Sequence, residues 1–313
     1  MTRVLALTGV TGALGGRVAA RLAATAADDD VVLRLVVRDA GRAPDLPGAE
    51  VVEVPGGYAD GPGFGAALAG AHTLFLVSAA EAEDRRAQHL TAVAAAAAAG
   101  VERLVYTSFL GASPDATFTL ARTHAATEER LTASGLRWTA LRHSMYADFV
   151  PFFATVSDGE AGSAAPAGDR AASFVARDDC ADVAAAVLRA DDGALHEASP
   201  HDRTPHDRTL EGRTLDVTGP EALTLAQAAA VLAEVCGRPV EYRPQTVEEA
   251  WATRRPSGHP DWEVEGWVSS YTAIAAGELA AVSDVVPTLT GSPARPLATV
   301  LREHPKLWQG LVR

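Results

Sequence analysis

Lysine is all but absent from this chain. Lys306 is the only one in 313 residues, so chemistry in which an ammonium group lowers the pKa of a neighbouring tyrosine has no lysine to use anywhere before the last few residues. Cysteine is nearly as scarce. Cys180 and Cys236 lie far apart, with no CxxC and no nearby histidine pair, which speaks against both a disulfide framework and a zinc site. No run of about eighteen uncharged apolar residues occurs, so no membrane span is expected. The chain enters a strand pattern at Arg3 without a basic region, an apolar stretch and a cleavage site, and a cytoplasmic location is the expectation. Positive charge is also in deficit: the formal net charge of −13 repels phosphate backbones and anionic membrane surfaces, so neither nucleic acid nor a membrane is expected as a partner.

What is present is enough apolar material, 48% of residues, to bury a full core and a smaller appended lobe. Short runs rich in Val, Leu and Thr recur through the first half: residues 3–8, 31–37, 50–54, 72–78, 103–108 and 137–142. Helical stretches alternate with them, most clearly 83–100 and 121–135, each ending on a glycine. Such alternation predicts an α/β fold with a doubly wound parallel sheet covered on both faces, whose ligand lies beyond the carboxyl ends of the strands. We expect a cofactor domain over 1–145, and a region of 146–313 that is mainly a smaller α/β substrate lobe with some segments returning to the main sheet.

The stretch LALTGVTGALGGRVAARL, residues 5–22, places Gly9, Gly12 and Gly15 between a strand and a helix. Small residues there let the backbone bend and approach a pyrophosphate, which then faces the free N–H groups at the helix start, here those around Ala13 and Leu14. Thr8 and Thr11 add hydroxyls, and Ser78 and Ser108 fall at the ends of two further strands, at the same edge of the sheet. The spacing is GxxGxxG where the commonest dinucleotide fingerprint has GxGxxG. At the end of the second strand the sequence reads VVLRLVVRDAGR: Arg38 comes first, Asp39 second, and Arg42 is near enough to assist. An arginine there suits a 2′-phosphate, so NADP(H) is expected in preference to NAD(H), the alternative being a solvated loop pair of Arg38 and Asp39.

The stretches LTGVTGALGGRV, LVVRD, AQHLTAVAAAAAAGVERLVYTS, THAATEERLTASGLRWTALRHSMYADF and LDVTGPEALTLAQAAAVLAEVCGRPVEY together resemble the NmrA-like branch of atypical short-chain dehydrogenases. Within it, the chain is similar to type-2 NAD(P)H:quinone oxidoreductases and triphenylmethane reductases. The resemblance runs over nearly the whole chain, in order. It implies a Rossmann domain with a small C-terminal lobe, NADPH in the cleft and direct hydride transfer to a flat aromatic acceptor; some relatives are instead redox sensors without turnover. Where the common mechanism has a Tyr-xxx-Lys pair, this chain offers Leu120 and His124. A quinone is electron-poor enough to take hydride without that pair, given a hydrogen-bond donor for its developing oxyanion. His124 is the candidate catalytic group, as donor or as orienting group, against the plain alternative of a satisfied helix-face histidine.

After the sixth strand the chain reads LRHSMY, where relatives often read Leu-Arg-Asn or Leu-Arg-Pro followed by Gly-Trp-Tyr. His143, Ser144 and Met145 therefore alter the wall expected beside the nicotinamide. Aromatic residues cluster beyond it, and His143, Tyr146, Phe149 and Trp267 are the candidate substrate pocket, with Phe152, Phe153, Trp251, Trp262 and Tyr271 nearby in sequence. The expected function is an NADPH-dependent reductase of a planar aromatic or quinone-like acceptor. A non-catalytic NADP(H) sensor and a biosynthetic reductase of a polycyclic ketone or imine are the alternatives, and a homodimer is left open. The tandem duplication PHDRTPHDRT, residues 200–209, reads as a surface insertion and not as a metal tract. In RDDCADVAAAVL, Asp178 or Asp179 is expected to cap a helix packed under the sheet.

Overall fold

The computed structural model describes residues 2–26, 30–153, 155–157, 160–190 and 210–309, with the backbone alone described over 152–163. Seven strands form one all-parallel sheet: β1 (Arg3–Leu7), β2 (Val31–Val37), β3 (Glu50–Glu53), β4 (Thr73–Leu76), β5 (Arg103–Phe109), β6 (Arg137–His143) and, far along the chain, Arg213–Val217. In space they run from Arg213–Val217 through β6, β5, β4, β1 and β2 to β3, so the winding reverses between β4 and β1. That reversal opens a crevice at the carboxyl ends of the strands, where α/β folds bind ligands.

The helices of this half are α1 (Ala13–Ala23), α2 (Gly61–Ala67), α3 (Arg85–Ala98), α4 (Thr119–Thr132) and α5 (Arg177–Arg189). One face of the sheet is covered by α1 and α5, which bury Leu14, Val18, Leu22, Val183 and Val187 against Leu7, Leu35 and Val105. The other face is covered by α2, α3 and α4, through Phe64, Leu68, Val93 and Leu131 against Leu74, Leu76 and Tyr106. A strand buried on both faces needs no polar alternation, and β4 is buried at every position. The cap expected of Asp178 or Asp179 is not formed. Ala176 is the N-cap of α5, and both aspartates lie inside the first turn, where Asp178 pairs with Arg21 at 2.8 Å and Asp179 accepts the Arg295 backbone N–H at 2.8 Å. Acidic groups still favour that end of the helix dipole.

The remaining strands are β7 (Met145–Tyr146), β8 (Thr155–Ser157), β9 (Glu160–Ala165), β10 (Ala171–Val175), β11 (Arg213–Val217, the returning strand named above), β12 (Ala222–Thr224) and β13 (Val240–Pro244). Apart from β11 they form two three-stranded sheets, β12-β10-β7 and β13-β9-β8. Around them stand α6 (Leu225–Cys236), α7 (Val247–Arg254), α8 (Asp261–Ala276), α9 (Val285–Thr290) and α10 (Leu297–Glu303). Leu225, Leu232, Ile274, Leu297 and Leu301 join Phe174 and Met145 in a core of their own. Thr224 and Thr246 start α6 and α7 with complete capping boxes. No described helix is long and apolar enough to cross a membrane, and among the described residues no group of His, Cys, Asp and Glu is placed to hold a metal ion. The 200–209 duplication lies outside the described residues.

Candidate active site

Thr8 ends β1 by tying it to β4: its hydroxyl accepts the Val77 N–H at 2.9 Å and donates to the Phe75 carbonyl at 3.1 Å. The chain then turns at Gly9, whose φ of +64° suits glycine, and α1 begins after Gly12, an extended N-cap without a side-chain hydrogen bond. The first N–H groups of α1 thus have no protein side chain capping them, and helix geometry leaves them free to meet an anion. A Cβ on Gly15 would stand 2.3 Å from the Gly9 carbonyl oxygen, and one on Gly12 would stand 3.2 Å from that same atom. Gly15 is therefore required for close packing of helix on turn, while Gly12 is exposed and leaves its outer side open. A dinucleotide pyrophosphate fits this cradle of free N–H groups and missing side chains. Thr11, Gly12 and Ala13 are exposed at its lip, while Leu14 is buried under α1 and offers only its backbone.

A cleft of about 1150 Å³, counted out to its open mouth, runs from Thr8, Gly9 and Thr11 past Arg38 and Tyr58 to Ser78 and Glu81. Arg38 is exposed at the end of β2, with its side chain laid along Gly57, where an added Cβ would come within 3.2 Å of Arg38 Cδ. The Asp39 carboxylate faces its own turn and accepts the Gly41 N–H at 2.9 Å, and Arg42 lies exposed in that turn. Tyr58, which sequence reasoning missed, is half-buried beneath the glycine turn with its hydroxyl 2.7 Å from the Val77 carbonyl and 2.6 Å from Thr8 Oγ1; loss of water around the hydroxyl pushes its phenol well above the usual range. Ser78 lines the cleft, and its backbone N–H donates to Thr107 Oγ1 at 2.8 Å. Ser108 does not line it. The Ser108 hydroxyl donates to Glu128 Oε1 at 2.6 Å, and the same carboxylate oxygen receives the Arg142 Nε–H at 2.9 Å.

At the inner end of the cleft, α3, α4 and β5 bring four polar side chains into one buried chain of hydrogen bonds. Arg85 donates from Nε to the carbonyl of Ala79, a cleft residue, at 2.9 Å, and its Nη2 lies 3.0 Å from His124 Nε2. A guanidinium can only donate, so His124 Nε2 accepts; burial and the nearby Arg85 charge hold this imidazole well below its ordinary pKa, hence neutral. Its one proton is then on Nδ1, which faces Tyr106 Oη at 2.8 Å. By the same logic His89, whose Nε2 accepts the Ala79 N–H at 2.8 Å, carries its proton on Nδ1, 3.0 Å from Thr127 Oγ1 and 3.2 Å from Tyr106 Oη. Burial, with Arg85 adding to it, lowers the His89 pKa to about 3. Both ring nitrogens of His124 are thus committed to protein partners.

The LRHSMY stretch lies close enough to this group for His143 to bear electrostatically on His124 and Tyr146 on Arg85. His143 is buried, its pKa lowered to about 3 by desolvation, and its Nδ1 is 3.0 Å from Tyr146 Oη. Arg177 covers the Tyr146 ring at 4.4 Å and the Phe149 ring at 5.1 Å, and is ion-paired with Asp148. His143, Tyr146 and Phe149 are therefore brought together. Trp267 approaches from α8: it packs edge-on to His259 at 4.7 Å and stands near Glu81, a residue of the cleft wall. Phe152 and Phe153 have side chains outside the described set. Sequence reasoning also missed Arg85, Tyr106 and His89. A signal was present for the first: Arg85 and Arg86 open a helix otherwise rich in alanine, where cations oppose the macrodipole.

A family model described as NAD(P)H-binding matches residues 9–191. The chain is 32% identical over 304 residues, 96% of its length and 98% of the relative's, to (4-alkanoyl-5-oxo-2,5-dihydrofuran-3-yl)methyl phosphate reductase of Streptomyces griseus. Quinone oxidoreductase 2 of Escherichia coli is 30% identical over 295 residues, 94% and 96% of the two chains, and its crystal structure with NADPH superposes with a TM-score of 0.77. Triphenylmethane reductase of Citrobacter sp., solved with NADP(H), gives a TM-score of 0.77 at 26% identity, covering 96% of this chain and 99% of that one.

Proposed function

This chain belongs to the NAD(P)H-binding family, and from that premise we propose an NADPH-dependent reductase that passes hydride directly to a planar, quinone-like or conjugated carbonyl acceptor. The observation that carries this reading is the continuous cleft from the glycine turn past Arg38 to Ser78 and Glu81, ending beside the buried Arg85–His124–Tyr106 chain. The names of the relatives, reductases of a quinone, of a triphenylmethane dye and of an unsaturated lactone, support the acceptor class. When bound, the nicotinamide supplies the hydride. In our reading the α1 N-terminus with Gly9, Thr11, Gly12, Ala13, Leu14 and Gly15 holds the pyrophosphate, Ser78 borders the nicotinamide half, and Ser108 acts from behind through Glu128. Residues 1–145 form the cofactor half and 146–313 mainly the substrate lobe, with α5 and β11 returning to the sheet. His143, Tyr146, Phe149 and Trp267 border the acceptor. No tyrosine-lysine pair takes part, and His124 has the orienting role, because its Nε2 accepts the hydrogen bond from the Arg85 N–H and cannot also donate to a substrate.

NADPH preference follows from the end of β2. Asp39 is turned onto Gly41, so the carboxylate that would receive a free ribose hydroxyl is engaged, whereas Arg38 is exposed and has no ion pair among the described residues. Arg38→Ala is expected to weaken NADPH by about tenfold to a hundredfold, the worth of one charge-assisted hydrogen bond, with NADH changed little. Paired titrations of both cofactors check this, and equal losses would place the 2′-phosphate elsewhere. The activity itself is tested by following nicotinamide absorbance with NADPH or NADH and a panel of quinones, conjugated lactones, aromatic ketones and triphenylmethane dyes. Oxidation that depends on one acceptor class is the expected result. Cofactor binding with no turnover of any acceptor would overturn the reductase reading in favour of an NADP(H) sensor.

A further inference from the structure

Among the described residues, Arg85 Nη1, His143 Nε2 and Ser144 Oγ are buried side-chain atoms with no hydrogen-bond partner. Native interiors leave few such atoms, and each one without a partner costs stability that a bound group would restore. Their location is informative. His143 ends β6 at the carboxyl edge of the sheet and Ser144 follows it, and Arg85 stands between Ala79 on the cleft wall and His124, with its charge also felt by Tyr146. Arg85 is the strongest of the three, because it is a permanent cation with only 6% of its surface exposed and no carboxylate within ion-pair distance among the described residues. Two corners of its planar guanidinium are fixed, Nε on the Ala79 carbonyl and Nη2 on His124, and Nη1 is the corner left over.

We infer that Arg85 Nη1 is the donor that receives the acceptor's oxygen, and that its charge selects acceptors that become negative on taking hydride over acceptors that begin as cations. The inference rests on the reductase reading given above. In the step it serves, the conjugated carbon of the acceptor takes a hydride, with its electron pair, from the reduced nicotinamide. The π pair of the carbonyl moves onto oxygen, which becomes an anion beside Nη1. That oxygen then takes a proton from water, so the acceptor gains two electrons and two hydrogens while the dinucleotide is left oxidised. A fixed, desolvated cation stabilises charge at the point where it develops. A triphenylmethane cation taking the same hydride becomes neutral, gains nothing from Arg85 and is repelled by it in the ground state. The positive charge that the chain lacks as lysine on α4 is delivered instead by arginine from α3, with His124 holding it in place.

The test compares wild type, Arg85→Gln and Arg85→Lys on three acceptors: a neutral naphthoquinone, a hydroxynaphthoquinone that is an anion at neutral pH, and the cationic dye crystal violet. NADPH titration checks that each variant retains its cofactor site. Arg85→Gln is expected to lower kcat for the neutral quinone by about a hundredfold, as removal of an oxyanion donor does, with Arg85→Lys recovering part of it. Binding of the anionic quinone, read by tryptophan fluorescence, is expected to fall in the Gln variant, while crystal violet is bound and reduced at least as well as by wild type. Equal losses on the quinone and the dye would show a merely structural role and overturn the inference. If wild type reduces none of the three, the reductase reading fails, and the binding series still decides on Arg85: affinity for the anion that survives Arg85→Gln unchanged would refute it.

Discussion

Lowering the pH from 7 to 5 is expected to remove a large part of the protein's folding stability, because three imidazoles are buried as neutral rings. His89 and His143 are held at about 3, and His124 well below the ordinary range, by burial with Arg85 adding to it at His89 and His124. In the unfolded chain each returns to about 6.5. Their contribution is therefore fully present above about pH 6.5 and is lost as pH falls toward their folded values, since only the unfolded state takes up the protons. Each costs about 1.4 kcal/mol per pH unit in that window. His89 and His143 together remove about 4 kcal/mol by pH 5, with His124 acting in the same direction, a large share of the stability of many domains. Asp179, Asp216 and Glu81, raised by burial, work in the opposite direction. Thermal unfolding at pH 8, 7, 6 and 5 measures the slope. The variant His143→Gln, which keeps a polar group facing Tyr146, is expected to flatten it by the share of one such ring, about 2 kcal/mol between pH 6.5 and 5. A melting temperature that is level from pH 7 to 5, or a slope unchanged in the variant, would show that these rings are not held neutral.

That buried network marks the point where the sequence stopped being legible. Six of the seven strands of the main sheet were read: the runs at 31–37, 103–108 and 137–142 became β2, β5 and β6 with ends shifted by one residue at most, the run at 72–78 shortened to β4, and the returning strand β11 was not singled out. Strands covered on both faces are short continuous apolar runs between polar breaks, and nothing else in a chain of this composition resembles them. The small sheets escaped notice because their strands are as short as two or three residues and carry no period. The strand–turn–helix at Gly9 to Gly15 and the exposed place of Arg38 after β2 were legible too, each from a local signal. Pairings were not. Arg85 and His124 are 39 residues apart, Ser108 and Glu128 are 20 apart, and Tyr106 is hidden inside an apolar strand. Residue type announces that a hydroxyl or imidazole is present. Which partner it meets depends on how α3, α4 and β5 are stacked, and for Ser108 that partner is a carboxylate behind the cleft.

Replacing Gly15 by alanine is expected to cost both the fold and the cofactor, whereas the same change at Gly12 costs chiefly the cofactor. At Gly15 the new methyl group would lie 2.3 Å from the Gly9 carbonyl oxygen, 2.5 Å from its carbon and 3.0 Å from the Thr8 carbonyl oxygen. All three are backbone atoms, so no side-chain rotation relieves the clash. Either α1 must slide away from the end of β1 or the turn must open, and each movement displaces the N–H groups that face the pyrophosphate. A stability loss of about 3 kcal/mol or more is expected, the upper range for overpacking against rigid neighbours, with NADPH binding lost in any protein that still folds. At Gly12 the nearest contact is 3.2 Å to one carbonyl oxygen and the outer side is open. The fold can accommodate that methyl by a shift of a few tenths of an ångström, but it then occupies the surface a pyrophosphate must approach. Melting temperature and NADPH titration on the two variants separate packing from ligand contact. A Gly15→Ala protein as stable as wild type would mean that helix and turn are less closely packed than the geometry requires. A Gly12→Ala protein with unchanged affinity for NADPH would mean that the pyrophosphate does not lie over this turn.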